Sequence, residues 1–544
     1  MYVFEFVVAL LLVGAGLTAV SKRIGTPYPA MVALAGAALA LVPGTPTLVL
    51  DPELALTLFV APVLLDAAFD ASLRDLRANW RSVAGLALGA VVLTIVVVAV
   101  VAHLLVPDMP WWAAIALGAI VAPPDAAAAT AVLKQLRPPY RLLVILEGES
   151  LFNDASALLV YRVAVGATFA GALSVAGVIP TLLFVTFGSV LLGLVLSRVI
   201  ILVTARITDV AIAVIVQFCG TFAVWMLAER LHLSGILTVV TFAMAAARRA
   251  GDLIPARVRI PSYAVWEFAV FVLNVLAFIL VGFQLKGLLG RVDRQTLIEY
   301  AGVAVAVTVA TILARIAWVW GAAAISRWYC RAGPDGAPGR HDRVGLSNRA
   351  AVVAGWCGMR GIVTLAAALA LPTGGPDGVA FPYRDLILFT AFAVVLGTLV
   401  LQGMTLRPLM NYLKLEDDGS VEHEVKVARV ETLRAALSAT DGASSGEEMS
   451  GLLRRRYEML LRRAETDLAN GNGVPNENVA AEAQQFETDA AFVRTATAAE
   501  RQRLLALRAD GTIGDAAFQR IEQELDWEEL DLQQLVSNDD SAER

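Results

Sequence analysis

Charged residues are scarce in this sequence, and several functional residue types are nearly absent. Only 17% of the 544 residues are charged against 58% hydrophobic, which excludes a single water-soluble globule. The three cysteines, at 219, 330 and 357, are too scattered for a disulfide framework or a zinc site, and the four histidines do not cluster. None of the five lysines lies in a phosphate-binding GxxxxGK loop. Resident metal sites, thiol chemistry and nucleotide-driven pumping are therefore not expected.

Long apolar runs fill the first three quarters of the chain. A membrane helix needs about 20 mainly apolar residues. Residues 1–415 contain thirteen candidate spans, at 3–20, 28–42, 53–70, 83–105, 111–133, 142–170, 178–203, 209–229, 234–248, 265–285, 298–326, 350–371 and 384–410. The predicted fold class is an all-α polytopic membrane protein. No basic residue precedes the first run, so it is interpreted as an uncleaved span rather than a signal peptide.

Loop charge predicts the orientation in the membrane. Alternate loops carry 20 and 5 Lys and Arg residues, and cytoplasmic loops hold the excess. Because thirteen is odd, we expect the N-terminus outside and the tail, residues 416–544, in the cytoplasm. The tail has 28 Asp and Glu against 14 Lys and Arg. It is predicted to form short amphipathic helices, either as a solvated extension or as a regulatory, partner-binding module.

Ionisable residues inside the predicted spans indicate a transport site, because a charge at the bilayer centre persists mainly where it faces a cavity, pairs or works. Asp125 follows Pro123 and Pro124 about halfway along span 5, and two prolines remove two backbone donors and break the helix. Such a break is tolerated beside a watery cavity, where freed carbonyls coordinate cations. The alternative is that Asp125 only caps the second half-helix.

Span 6 adds a polar face. At 100° per residue, Glu147, Ser150 and Asp154 fall within about 60° of one another, and Asn153 and Glu149 lie on the adjoining face. One flank of this helix is therefore expected to line a cavity with Asp154 and Ser150, while Glu149 faces a basic neighbour.

Span 12 contains Arg360 in the stretch GWCGMRG, whose three glycines permit close approach or unwinding. A buried Arg needs a carboxylate, so we expect a structural ion pair between Glu149 and Arg360; the alternative is that Arg360 gates or binds the ion directly. The interrupted spans 5 and 12 are seven apart, which predicts an inverted repeat of spans 1–6 and 8–13 with the broken helices crossing. The same offset indicates Asp66 in span 3 as a further cavity residue.

Five stretches together resemble the monovalent cation:proton antiporters, specifically the branch of sodium/proton exchangers with an Asn-Asp pair. They are LLDAAFDASLRDLR (64–77), APPDAAAATAVLK (122–134), EGESLFNDASALLVY (147–161), WEFAVFVLNVLAFILVGFQL (266–285) and GMRGIVTLAAALALP (358–372). Similarity to this family implies a thirteen-helix fold, a core domain that rocks against a dimerising domain, and a homodimer in the lipid bilayer.

The resemblance also implies roles for individual residues. Asp154 matches the essential ion- and proton-binding carboxylate, with Asn153 as its neighbour and Ser150 as a ligand. Asp125 resembles the aspartate of the unwound helix, which follows a threonine in the family. Here Pro124 stands in that place, so only its carbonyl remains as a ligand.

Asp66 resembles the acidic residue of the family's third helix, and Glu149 with Arg360 resembles the family's ion pair. The predicted function is exchange of a monovalent cation, with Na⁺ as the first candidate, for H⁺ across the cell membrane by competition at Asp154. No cofactor and no nucleic-acid partner is expected. With Asn at 153, a single titrating group predicts one ion per proton. The alternatives are K⁺/H⁺ antiport on the same fold, a gated cation channel and a cation-coupled symporter.

Overall fold

The computed structural model describes residues 2–24, 26–42, 52–125, 128–170 without 131, 132, 134, 135 and 137, 175–289, 293–331, 347–373 and 381–441 without 416 and 418, together with scattered positions between 454 and 527. Regular structure in these residues is entirely helical. The chain divides into two compact units, Met1–Asp418 and Gly419–Arg544.

The first unit contains helices that match the predicted apolar runs, and most of them extend beyond the predicted ends. They are α1 (Tyr2–Ile24), α2 (Tyr28–Ala40), α3 (Pro52–Ala55), α4 (Ala61–Asp70), α5 (Leu73–Ala78), α6 (Trp80–Ala84), α7 (Val91–Leu105), α8 (Trp111–Val121), α9 (Tyr140–Ala170), α10 (Val175–Ala205), α11 (Val210–Arg230), α12 (Gly235–Leu253), α13 (Ala256–Leu289), α14 (Arg294–Arg331), α15 (Asn348–Trp356), α16 (Ile362–Leu369) and α17 (Arg384–Leu413). Single π-helical turns at Leu56–Val60 and Gly85–Ala90 continue into α4 and α7.

Six helices in the described residues are long and apolar enough to cross a membrane, and three shorter ones are equally apolar. The long ones are Trp80–Leu105, Pro180–Ala205, Val210–Arg230, Ala256–Leu280, Arg294–Ile325 and Arg384–Leu413. Helix α9 is 31 residues long but carries Glu147, Glu149 and Asp154, which lowers its hydropathy. The chain is therefore a multi-pass helical membrane protein, while the count of thirteen spans and the inverted repeat stay predictions.

The first unit is one compact unit, and two groups of packed helices within it are named here the core bundle and the flanking bundle. In the core bundle, α8 packs against α7 and α9, and α14 packs against α7, α15 and α17. In the flanking bundle, α2 packs on α13, and α12 packs on α4, α10 and α11. The core bundle contains both interrupted helices and most of the residues of the candidate site.

Small residues set the closest helix crossing of the flanking bundle. A Cβ on Gly36 of α2 would overlap the backbone of Ile279 in α13, and a Cβ on Gly282 would overlap the backbone of Ala37. Because both positions lack a side chain, the two backbones meet directly, as small residues allow in membrane helices.

The second unit begins with helix α18 (Ser420–Asp441). Its Arg434 pairs with Glu465 at 2.7 Å between Nη2 and Oε1, and Val430 is buried. Residues 457–466 are helical as well. The described part of the tail therefore contains helices with internal packing.

Candidate ion-binding site

Two helices of the core bundle are interrupted, and the interruptions lie side by side. Helix α8 ends at Val121, and the next four residues are not helical because two of them are prolines without an N–H. Residues 357–361, which contain two glycines and no proline, separate α15 from α16. The backbone N–H of Asp125 donates to the carbonyl oxygen of Met359 at 2.6 Å, so the two breaks are joined by a hydrogen bond.

Gly361 permits this approach. A Cβ at position 361 would overlap the carboxylate of Asp125, whereas Gly355, six residues earlier, would meet only ordinary contacts of 3.6 Å or more. A Cβ on Gly358 would lie 2.6 Å from Cδ of Arg315. Of the three glycines, Gly358 and Gly361 therefore lie where a side chain would overlap a neighbour, and Gly355 does not.

Arg360 binds the end of the broken helix. Its guanidinium donates to the carbonyl oxygens of Val121 at 3.0 Å, Ala122 at 3.3 Å and Gly358, and its backbone N–H donates to Oγ1 of Thr398 at 3.0 Å. The last carbonyls of α8 have no intrahelical donor and carry the negative end of the helix dipole. The buried guanidinium of Arg360 supplies donors to these carbonyls and a positive charge next to the negative end of the helix.

The predicted ion pair between Glu149 and Arg360 is wrong. The carboxylate of Glu149 pairs in a bidentate fashion with Arg315 of α14, through Nη1 to Oε1 and through Nη2 to Oε2 at 2.8 Å. Both side chains are 2% exposed, and Nε of Arg315 donates to the Ala354 carbonyl at 3.2 Å. Arg360 lacks this carboxylate because the carbonyls freed by the broken helix satisfy it instead.

Asp154 and Asn153 lie on α9 beside the first break. Nδ2 of Asn153 donates to the Pro124 carbonyl oxygen at 3.0 Å, while Oδ1 has no hydrogen-bond partner in the part of the chain that the structure describes. Asp154 is 6% exposed, and none of the described residues hydrogen-bonds to or pairs with its carboxylate.

A small cavity lies where the two breaks meet α9. Its volume is about 10 Å³, room for about one water-sized sphere. Three predicted residues line it, Pro124 and Asp125 from span 5 and Ser150 from α9. Cys357, the residue after the end of α15, lines it as well, and the other lining residues are Ala129, Leu146 and Glu149. A carboxylate, a hydroxyl and a carbonyl group thus border one space.

Asp66 lines a different and larger cavity of about 420 Å³ in the flanking bundle. Its other polar lining includes Asp70, Gln217, Arg259 and Glu267, and its walls are aromatic and aliphatic. The structure therefore places Asp66 on this cavity, and it brings Asp125, Pro124 and Ser150 together on the small one. Asp154 and Asn153 are not among the lining residues of either cavity, so the prediction that Asp154 and Ser150 line one cavity is wrong.

The beginning of α9 is held by short helix α5. The hydroxyl of Tyr140 donates to Oδ2 of Asp75 at 3.0 Å, and Nε of Arg141 donates to Oδ1 of Asn79 at 2.9 Å. Burial favours the neutral form of Asp75, but hydrogen bonds with Ser72 and Tyr140 outweigh it and hold the pKa of its carboxyl below the usual value. An ionised Asp75 thus fixes the end of the helix that carries Asp154.

Sequence reasoning missed Arg315 and Cys357. Arg315 lies inside a predicted span, so the rule that a buried charge needs a partner applied to it as much as to Arg360; the sequence offered two arginines for one glutamate. Nothing in the sequence indicated that Cys357 lines a cavity, except that it lies three residues before Arg360. Contacts between distant helices decide both positions.

The transmembrane family model described as "Sodium/hydrogen exchanger, transmembrane" matches residues 7–412. The chain belongs to this sodium/hydrogen exchanger family. The family predicted from the five motifs is confirmed, and its members are transporters, not enzymes.

Relatives of the exchanger share most of its length. A Na⁺/H⁺ exchanger of Mycobacterium tuberculosis is 31% identical over 97% of this chain and 96% of its own. A protein of Bacillus pumilus named sodium, potassium, lithium and rubidium/H⁺ antiporter is 32% identical over 76% of this chain and 62% of its own.

The fold of the exchanger is also that of a solved antiporter. The structure of the sodium proton antiporter MjNhaP1 of Methanocaldococcus jannaschii matches with a TM-score of 0.59 at 16% identity, over 76% of this chain and 99% of that one. Together, family and fold support cation/proton antiport by the exchanger.

Proposed function

We propose that this exchanger swaps Na⁺ for H⁺ across the cytoplasmic membrane at the carboxylate of Asp154, with alternating access from the two sides. The observation that carries the proposal is the setting of Asp154, which is more than nine-tenths buried and has no hydrogen-bond or ion-pair partner among the described residues. An uncompensated buried charge is costly. The carboxylate of Asp154 is therefore stable when a proton or a cation neutralises it, and unstable as a bare charge.

Competition for this one group couples the two fluxes. A proton and a cation neutralise the same negative charge, so the site holds one of them at a time. Because the empty, charged form is costly to bury, the site changes sides only when it is occupied. Each cation released on one side is then replaced by a proton before the site returns.

Oxygen atoms around the small cavity fit an alkali cation, and Asn153, the neighbour of Asp154, contacts this cavity through the Pro124 carbonyl, although Asp154 itself is not in the lining. Asp125 and Ser150 line the cavity, and the Pro124 carbonyl oxygen keeps a second lone pair beside its bond to Asn153. Hard cations select carboxylate, carbonyl and hydroxyl ligands over sulfur. We assign Asp66, on the larger cavity, to the route by which the ion reaches the site.

The proposed stoichiometry is one cation per proton, without net charge movement. Asn153 is neutral in both states, so Asp154 alone exchanges a proton for a cation. A current across a protein-loaded membrane under an imposed Na⁺ gradient would contradict this. Asn153→Asp adds a second titrating group, and we expect this variant to carry current.

K⁺ is the second candidate cation, because the Bacillus pumilus relative is named for sodium, potassium, lithium and rubidium. Recovery of a quenched pH-sensitive dye in proteoliposomes, after addition of Na⁺, Li⁺ or K⁺ in turn, ranks the ions. Flux that persists without proton movement would indicate a channel.

The central test is Asp154→Asn, which keeps the shape of the side chain and removes its charge. We expect cation-dependent proton release in vesicles to be lost at matched expression. Asp209→Asn is a suitable control, because Asp209 caps α11 by accepting from the Ile212 N–H at 2.9 Å and Asn caps equally well. Retained exchange by Asp154→Asn would refute the assignment.

We propose that the exchanger works as a homodimer, with its N-terminus outside and its tail in the cytoplasm. The loop charges support the orientation, and the family resemblance supports the dimer. Accessibility of a cysteine placed at each terminus in intact and opened cells tests the orientation, and crosslinking in native membranes tests the dimer.

A further inference from the structure

The larger cavity of the flanking bundle, which Asp66 lines, is big enough for an organic ligand. Its volume is about 420 Å³, and small-molecule sites in proteins have volumes of about 300–1,000 Å³. Most of the residues that line it are apolar or aromatic. Because alkali cations select oxygen ligands, these walls fit the apolar body of an organic molecule better than a metal ion.

Three aromatic side chains, Phe69, Tyr263 and Trp266, form an aromatic wall of this cavity. The rings of Phe69 and Tyr263, from α4 and α13, meet edge to face with their centroids 6.2 Å apart. Trp266 is fixed by two contacts, since its Nε1 donates to Oε1 of Gln217 at 3.2 Å and its ring packs on Phe218 with centroids 5.2 Å apart. Aromatic rings bind organic cations over their faces, within about 6 Å of the centroid.

The charge of the cavity favours a cation. Three carboxylates, those of Asp66, Asp70 and Glu267, line it together with one guanidinium, that of Arg259, so the formal net charge is −2. In the part of the chain that the structure describes, Asp70 and Glu267 have no side-chain hydrogen-bond or ion-pair partner. An anion would be repelled, and a neutral apolar occupant would remove water from these charges without replacing it, which is costly.

Glu267 lies in the middle of a helix that is apolar enough to cross a membrane. It is the twelfth of the 25 residues of Ala256–Leu280 in α13. An ionisable side chain at such a depth is expensive, and it marks an ion or ligand site when it faces a cavity. Tyr263 lies four residues earlier on the same face of α13, so a carboxylate and an aromatic ring are neighbours there.

A buried hydroxyl beside the cavity also lacks a partner. Thr204 of α10 lines the cavity and is 1% exposed, and its Oγ1 has no hydrogen-bond partner among the described residues. Other helical threonines donate to the carbonyl four residues earlier, as Thr221 does to Gln217 at 2.9 Å. Because buried polar atoms are normally hydrogen-bonded, a polar group of a ligand or a water molecule beside it is expected to complete this contact.

We propose that the larger cavity is a binding site for an organic cation with an aromatic or branched apolar body, such as a quaternary ammonium ion. The apolar part of the ligand lies against the aromatic wall, and its positive end lies beside Asp70 and Glu267. Binding at this site does not depend on the proposed exchange at Asp154. Because we assigned Asp66 to the route of the ion, an occupant of the cavity is also expected to slow exchange.

Calorimetric titration of the purified exchanger in nonionic detergent with benzyltrimethylammonium tests the proposal. We expect saturable binding of this cation and no binding of phenylmethanesulfonate, which has the same benzyl group and the opposite charge. Glu267→Gln should weaken binding of the cation by about fivefold, the upper end for an ion pair at a partly exposed site. Tyr263→Leu, which keeps an apolar side chain, should weaken it by about threefold through loss of one cation–π contact.

The matched controls lie outside the cavity. Glu299→Gln removes an exposed carboxylate from α14, and Tyr412→Leu removes an exposed ring from α17. Neither variant should change the affinity for benzyltrimethylammonium. If Glu267→Gln does not fold, Asp70→Asn at the end of α4 is the second charge variant, and the same weakening is expected.

No binding of benzyltrimethylammonium would overturn the proposal. Equal affinity in the wild type, Glu267→Gln and Tyr263→Leu would overturn it too, as would equal binding of the sulfonate, because neither the charge nor the ring would then select the ligand. In proteoliposomes, the cation should raise the apparent KM for Na⁺ and leave kcat unchanged. Binding without this effect would support the site and reject the assignment of Asp66 to the ion route, whereas Asp154→Asn tests the exchange itself.

Discussion

Single residues in the core bundle carry charges that the lipid environment does not tolerate alone. Glu149 and Arg315 neutralise each other, and Arg360 neutralises the end of a broken helix. Among the buried charged residues that the structure describes, Asp154 is the one without a neutralising neighbour. At this scale, the structural charges are paired and the proposed transport charge is not.

Breaking the buried pair is expected to be severe. Arg315→Met leaves the Glu149 carboxylate buried without a cation, and the free energy of unfolding in detergent should fall by about 3–5 kcal/mol. The double variant Glu149→Gln with Arg315→Met removes both charges and should recover most of this loss.

An exposed ion pair, Arg162 with Glu229, is the matched control for the buried pair of Glu149 and Arg315. Arg162 pairs with Glu229 at 2.9 Å, with side chains 51% and 38% exposed, so Arg162→Met should cost less than about 1 kcal/mol. A buried and an exposed variant of equal stability would contradict the role given to Glu149 and Arg315.

At the scale of elements, the site depends on two helices that stop in the middle of the bundle. Prolines interrupt one, and the glycine-rich stretch permits the interruption of the other. The hydrogen bond from Asp125 to Met359 joins them, and it requires a bare backbone at Gly361. The crossing is therefore sensitive to one methyl group.

Gly361→Ala is expected to abolish exchange, because its Cβ would overlap the Asp125 carboxylate. Gly355→Ala, whose Cβ would meet nothing closer than 3.6 Å, should keep most of the wild-type exchange because no neighbour has to move. Dye-based exchange assays at matched protein content compare the two. Full activity of Gly361→Ala would show that the crossing is not required.

At the scale of the whole molecule, alternating access in the proposed mechanism requires that the core bundle moves relative to the flanking bundle. Arg162 lies on α9 of the core bundle and Glu229 on α11 of the flanking bundle. Their ion pair therefore joins the bundles at one point. Glu229 also accepts from the Gly235 N–H at 3.2 Å, which holds its carboxylate in place.

Breaking this link should favour the state that is open on the Arg162 side. Since an exposed pair contributes up to about 1 kcal/mol, Glu229→Gln should shift the ratio of apparent Na⁺ affinities on the two sides by up to about fivefold. Oriented vesicles measure the two sides separately. Arg454→Gln, which removes the tail pair with Glu458, is expected to leave the ratio unchanged, and an unchanged ratio in Glu229→Gln would exclude the pair from gating.

The tail is a separate compact unit from Gly419 onward, and its regulatory role stays a prediction. We expect deletion of residues 419–544 to change the pH at which exchange begins, measured as rate against pH in vesicles. An unaltered pH profile, with normal expression, would leave the tail with a structural role.

The sequence by itself determined the class of this protein, the family and the positions of both helix breaks. These properties depend on local chemistry: apolar length, the missing N–H of proline, and motifs that lie within a few residues of one another. The predictions for Asp125, Pro124, Ser150, Asn153 and Asp154 follow from the same local chemistry, and their roles stay predictions. A linear pattern is enough where the physical cause is itself local.

Only the tertiary structure decided which charges meet. Arg315 and Arg360 are both buried arginines, and nothing in their neighbouring residues shows which one reaches Glu149. The answer depends on how α9, α14 and the two broken helices pack, because carbonyls freed in one helix satisfy an arginine from another. The same packing brought Cys357 to the cavity and placed Asp66 on a different one.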